Sequence, residues 1–346
     1  MRKALFATIH IILTITIFSA CSNNEDLSAP HKVYNIHVLF TPEGFCNMGY
    51  NDNTLKAIET LSSKHGYRYS FCVPETIEDG MEYYMDWYNE EPDDNVERTL
   101  FIFASNIYEA PLANAPHPTK NSRKDILLFE VEKEVPYAYT FDMSYYGASY
   151  MIGYYYLKQM DVCFQVIAAN QYIEGLEEIY GGFTTATKDM SCGSVELNCI
   201  SDTPDGGLDN DNLAFAECKM VFYENMDKNN IFVPYASFSN LGVYRFSQSN
   251  YQIAVGVDCI NPNLYSYTYL CMNKRIDLAL DDFLEPWING DEIPRHILYT
   301  LESGKVVVER AATLDSESEL LDEIKKLAIA REKEYYQKEV EDEQDL

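Results

Sequence analysis

From about residue 33 onward, short apolar runs alternate with amphipathic stretches. The runs at 33–40, 99–104, 126–131, 162–169, 195–200, 231–236 and 253–257 have the length of buried strands. Between them, 54–65 places Leu55, Ile58 and Leu61 at helical spacing, and 82–89, 145–159, 173–188, 213–226 and 275–284 also read as helices. Strand–helix alternation predicts parallel sheets covered on both faces. Seven or more strands over this length fit two doubly wound α/β lobes better than one. The stretch 40–53, FTPEGFCNMGYNDN, joins the first strand to the first helix. In doubly wound folds, ligands bind at such loops, beyond the carboxyl ends of the strands. Gly44 and Gly49 allow close backbone approach, while Asn47, Tyr50, Asn51, Asp52 and Asn53 offer an aromatic face and hydrogen-bonding groups. The plainer reading is an ordinary βα turn with Asn as helix cap.

Both ends of the chain break the pattern. Residues 1–20 combine a basic start with an apolar run, as in a secretory signal peptide, too short for the ~20-residue span of a stable membrane helix. Phe18-Ser19-Ala20-Cys21 resembles a bacterial lipobox, with Phe18 where Leu is more usual. That resemblance implies cleavage before Cys21 and its lipidation; an uncleaved anchor is the alternative. Residues 21–32 then form a polar tether, with Glu25 and Asp26 close behind the lipid. At the other end, 313–346 is acidic, and Leu320, Leu321, Ile324, Leu327 and Ala328 form a narrow apolar stripe. It predicts an amphipathic helix, packed on one lobe or offered to a partner.

The composition is that of a globular protein, 47% hydrophobic, and the formal charge of −29 repels a phosphate backbone, so no nucleic-acid partner is expected. The 28 tyrosines suit ligand clefts and half-buried strands alike. Nine cysteines and six histidines are scattered, with no C-x-x-C pair and no H-E-x-x-H, so no zinc site is expected. Cys163 and Cys271 sit in apolar runs as small core residues; export permits disulfides, with Cys192 and Cys199 the nearest pair. The acidic loop 205–212 fails the EF-hand pattern and reads as surface, as does the Pro-rich connection 110–122. G-x-G-x-x-G, G-x-x-x-x-G-K-[ST] and G-x-S-x-G are all missing. No cofactor and no catalytic set is expected.

A family resemblance emerges from Tyr145 onward. Tyr146–Gly153, YGASYMIG, resembles the "G-S-Y-L-A-G" helix of the basic membrane protein family, lipoprotein solute receptors that include purine nucleoside receptors. The segment 175–188 is similar to that family's "F-x-x-G-F-x-A-G", 232–243 to "V-x-G-G-T-G-L-G-V", 253–258 to "A-I-G-V-D" and 273–279 to "L-K-R-V-D-V-A". Gly49-Tyr50-Asn51-Asp52 stands where the family has "S-F-N-Q". Order and spacing agree over about 33–310.

The resemblance implies a type I periplasmic-binding-protein fold, with two lobes joined by a three-crossover hinge and the ligand between them. It places lobe 1 at about 33–143 and 277–297 and lobe 2 at about 144–276 and 298–312, followed by the C-terminal helix. It also implies a nucleoside-like ligand, an ABC transporter permease as partner and no enzymatic activity; a ligand-sensing interaction protein and a nucleoside hydrolase are the rivals. Tyr50 would stack on the base, with Asn51 as the neighbouring amide and Asn47 nearby. Asp258 would hold a ribose diol, and Lys274 would help hold the sugar. In residue terms alone, Asp258 also reads as a helix cap, Lys274 as a snorkelling surface residue and Tyr50 as packing. Ser237-Phe238-Ser239-Asn240 departs from the family's "G-G-T-G", with Phe238 as a new stacking face or a plug in the pocket. The family's second base-stacking aromatic has no counterpart after 196–200.

Overall fold

A computed structural model describes residues 33–45, 49–91, 93–119, 122–204, 206–258 and 265–344. The signal peptide, Cys21, the tether and Asn47 lie outside the described residues. Two six-stranded sheets form the frame. The first has the order β11-β5-β4-β3-β1-β2, built from β1 (Val33–Leu39), β2 (Arg68–Cys72), β3 (Val96–Phe103), β4 (Lys124–Phe129), β5 (Tyr139–Met143) and β11 (His296–Tyr299). The second has the order β12-β10-β9-β8-β6-β7, built from β6 (Cys163–Ala168), β7 (Ser194–Cys199), β8 (Asn230–Tyr235), β9 (Ile253–Val257), β10 (Thr268–Lys274) and β12 (Val306–Arg310). All described pairings are parallel except β10 with β12.

The apolar runs are continuous because both faces of each sheet are covered. In the first sheet, Ile36, Val38, Leu100, Ile102, Leu127 and Phe129 enter one core, while Leu39, Phe101, Phe103, Ile126 and Leu128 enter another. The second sheet divides the same way, with Val166 and Val233 on one side and Ile167 and Phe232 on the other. The helices are α1 (Tyr50–His65), α2 (Ile77–Asn89), α3 (Glu109–Ala113), α4 (Tyr146–Gln159), α5 (Leu176–Met190), α6 (Asp211–Glu224), α7 (Asn240–Asn250), α8 (Ile276–Asn289) and α9 (Ser318–Gln344). The first helix starts at Tyr50, four residues before the expected 54, so Tyr50 and Asn51 belong to its first turn and not to the preceding loop.

The chain passes between the sheets three times: from β5 into α4 and β6, from β10 through α8 into β11, and from β11 into β12. These crossovers lie side by side. Ser144 N–H donates to the Tyr299 carbonyl at 2.9 Å, and Arg275 N–H donates to the Lys305 carbonyl at 2.7 Å. Helix α4 is buried nearly all round, as expected of a helix held between layers. On one side it packs on α5, where a Cβ at Gly182 would meet the Tyr146 carbonyl oxygen at 2.5 Å. On the other it carries α9, which buries Leu321, Ile324 and Ala328 from the expected stripe.

The described cysteines, Cys72, Cys163, Cys192, Cys199, Cys218 and Cys271, are free thiols, so Cys192 and Cys199 are not joined. The described part of the acidic loop, 206–212, is half-buried to exposed, and hydrogen bonds tie it down. Asn170 Nδ2 donates to the carbonyls of Pro204 and Gly206, and Ser239 N–H donates to that of Leu208, which draws the loop against the sheet.

Candidate ligand-binding site

The carboxyl ends of both sheets' strands face one cavity of about 430 Å³, within the range of small-molecule sites. Thr41 follows β1, Ser105 follows β3, Glu130 follows β4 and Asp142 is the last residue but one of β5. From the second sheet come Asn170 after β6, Tyr235 at the end of β8, Asp258 after β9 and Lys274 ending β10. This is the position at which open parallel sheets hold ligands.

A charged network forms the floor. Lys274 Nζ donates to Glu130 Oε2 at 2.5 Å, and Tyr50 Oη donates to Glu130 Oε1 at 2.8 Å. Asp258 Oδ1 accepts from Tyr145 Oη at 2.5 Å and from Lys274 N–H at 3.1 Å. The Lys274 ammonium also lies 4.7 Å from the centre of the Tyr145 ring, a cation–π contact. Burial pushes Glu130 up to about 7, against the pull of the Lys274 ammonium. Asp258 is raised by burial too, and Lys274 partly offsets it. Burial works to lower Lys274, but Glu130, Tyr235, Asp258 and Asp142 together leave it raised and charged.

Glu130 and Asp258 both hold positive φ, at 59° and 50°. Non-glycine residues there cost of order 1–2 kcal/mol, and such strain gathers at functional sites. In both cases the turn directs the side chain that follows an apolar strand back over the strand ends.

Four of the expected residues, Tyr50, Asn51, Asp258 and Lys274, line this one cavity. Their interactions refine the expectation. Asn51 Nδ2 donates to Thr41 Oγ1 at 2.8 Å and to the Gly44 carbonyl at 2.9 Å, so its amide braces the loop. Asp258 caps no described helix, and only its Oδ2 is without a hydrogen bond among the described residues. Lys274 is buried and paired, not snorkelling. Phe238 is not on the cavity wall; its neighbours Ser237 and Asn240 are, because the turn Ser237–Ser239 starts from a positive φ of 49°.

The sequence reading passed over Glu130, Asp142, Tyr145, Glu174, Glu178 and Tyr235, all on the cavity wall. For Glu130 a signal was present: a lone carboxylate inside the apolar run 126–131, costly to bury without a partner.

A second network ties the C-terminal helix to the crossovers. Glu332, 2% exposed, accepts from Gly147 N–H at 3.1 Å and from Leu301 N–H at 3.0 Å. Gly147 is in the first turn of α4, and Leu301 opens the turn Leu301–Ser303. One carboxylate thus satisfies open N–H groups at two helix starts on two crossovers. A Cβ at Gly147 would meet that carboxyl at 2.7–2.9 Å, which explains the glycine. One turn on, Tyr336 Oη donates to Glu178 Oε1, while Glu178 Oε2 accepts from Tyr145 N–H at 2.9 Å. Burial pushes both Glu178 and Glu332 up to about 7.

No family model matches the chain, and no curated protein matches its sequence. Solved structures do match its fold. An ABC transporter solute-binding protein from Aeropyrum pernix K1 aligns with a TM-score of 0.64 at 12% identity, over 87% of this chain and 86% of that one. A periplasmic solute-binding protein from Actinobacillus succinogenes 130z with bound D-allose aligns at 0.58 and 11%, over 80% and 97%. A transcriptional activator of the comK gene from Bacillus halodurans aligns at 0.61 and 12%, over 85% and 95%. At these identities the likeness is one of fold: the chain has the two-lobed type I periplasmic-binding-protein architecture. Among the described residues, no helix is long and apolar enough to cross a membrane.

Proposed function

We propose that the chain is an extracytoplasmic solute-binding receptor, anchored through lipid on Cys21 at the membrane or cell surface, that delivers its solute to an ABC transporter permease. The solute in this reading is a nucleoside or a related sugar-containing molecule, and the protein is not an enzyme. One observation carries it: tyrosines and carboxylates from both sheets share a single cavity beside three adjacent crossovers, the arrangement in which hinge closure traps a ligand. The Asp258 and Lys274 pairing beside Tyr145 offers charge-assisted contacts for hydroxyl groups, and Tyr50 offers part of an aromatic wall. The solute-binding neighbours support the same reading.

A ligand-sensing interaction protein is the second reading. It is favoured by α9, whose Glu332 and Tyr336 reach the crossovers and the cavity residue Glu178, and by a fold neighbour that is a transcriptional activator.

A thermal-shift screen of the purified chain against nucleosides, free bases and sugars tests the receptor reading, because a ligand that binds only the folded state raises the melting temperature. A nucleoside or sugar is expected to give a saturable rise with no turnover of the compound. Steady consumption of the compound would instead make the cleft an active site. The anchor has its own check: Cys21→Ser is expected to leave the membrane fraction, and acylated retention of that variant would contradict it.

A further inference from the structure

We propose that the solute this cleft holds is positively charged, an organic ammonium on a hydroxylated or aromatic body. This rests on the receptor reading and narrows its ligand class. Among the described residues, the cavity wall carries seven carboxylates and one cation. The cation is already engaged: Lys274 is held by Glu130, with Asp258 beside it. Glu178 is likewise satisfied, by Tyr145 N–H and Tyr336.

Other carboxylates of the wall have no such partner. Glu174, a solvent-exposed residue in the loop before α5, has a carboxylate with no hydrogen bond or ion pair among the described residues. It lies in the field of Glu132, Asp142, Glu109 and Glu130, and burial together with these like charges pushes it up to about 7. Glu43 adds a carboxylate oxygen that is buried and without a partner among the described residues. Carboxylates gathered along one cleft repel one another, and an opposite charge relieves the cost.

The cation that fits is organic, not metallic. Among the described residues, no three His, Cys, Asp or Glu side chains converge as metal ligands. The charges are instead spread along a cavity whose wall also holds six tyrosines. Aromatic faces with flanking carboxylates suit an ammonium group, through cation–π attraction and charge-assisted hydrogen bonds.

The test uses compounds that differ only in charge. Calorimetric titration of the whole chain at pH 7.5 and low salt compares 5′-amino-5′-deoxyadenosine with adenosine, and glucosamine with glucose and N-acetylglucosamine. In at least one set the amine is expected to bind at least ~10-fold tighter than its neutral counterparts, a difference of about 1.4 kcal/mol. Glu174→Gln and Asp142→Asn should each shrink that preference while the circular-dichroism spectrum stays native. Neutral compounds that bind as tightly as their amines would overturn the charge assignment and leave the receptor reading standing. A preference untouched by both variants would also overturn it. No binding by any of the five would count against both readings.

Discussion

Glu332→Ala should destabilise the protein more than any other single change on the outer face of the crossovers. The substitution leaves the N–H groups of Gly147 and Leu301 without an acceptor. Each buried, unsatisfied group costs about 1–3 kcal/mol, so the loss is about 2–6 kcal/mol, read as a lower urea midpoint. The effect also depends on pH. Burial raises Glu332 from its ordinary value to about 7, so the folded state holds this proton more tightly than the unfolded chain. Between about pH 4.5 and 7 the folded state therefore binds more protons, and stability falls as pH rises through that window. Glu130, Glu174 and Glu178 are raised to about 7 as well and act in the same direction. The wild type is expected to melt at a higher temperature at pH 5.5 than at pH 8, and the deficit of Glu332→Ala should shrink as pH rises. A variant within about 0.5 kcal/mol of wild type at both pH values would mean that water replaces the carboxylate at no cost.

Lys274→Ala is the second large effect, and its pH trend runs the other way. Lys274 and Glu130 have side chains only 10% and 14% exposed, at 2.5 Å. Removing one partner of a buried pair costs about 3–5 kcal/mol, because the other charge is left uncompensated. Near pH 8 the Glu130 carboxylate has lost its proton in the wild type, and the variant must either bury that charge alone or take up a proton. At pH 5.5 Glu130 is protonated in both proteins, so the deficit should be smaller. Adding Glu130→Gln to Lys274→Ala should recover much of the loss at pH 8, as a double-mutant cycle would show. A single variant as stable as wild type at pH 8 would show that the pair is open to solvent in solution.

The alternation of apolar runs and amphipathic stretches made the two-lobed α/β class legible, because parallel strands buried on both faces leave an unbroken apolar signature. Among the strands it missed, β2 and β11 lack that signature, whereas the buried β10 carries a short apolar run that was read only as core. β2 is an edge strand whose Tyr69 and Phe71 are 36% and 45% exposed, and β11 has only four residues. Site residues were legible where a polar side chain follows such a run within a family motif, as Asp258 and Lys274 do. Glu130 lies inside the run 126–131 and outside the motif segments. Tyr145, Glu174 and Glu178 come to the cavity from a crossover, a loop and a helix, and only the tertiary arrangement brings them together. The reach of Glu332 to Leu301 spans 31 residues and two layers, which no periodicity encodes.

The most direct test of the cavity as the ligand site is calorimetric titration of the best solute from the thermal-shift screen into the wild type and Asp258→Ala. The wild type is expected to bind one solute per chain. Asp258→Ala, still folded by circular dichroism, should bind it more weakly by about 1.5–3 kcal/mol, roughly 10- to 150-fold. Unchanged affinity and stoichiometry in a folded Asp258→Ala would place the solute elsewhere and contradict the cleft as the receptor site.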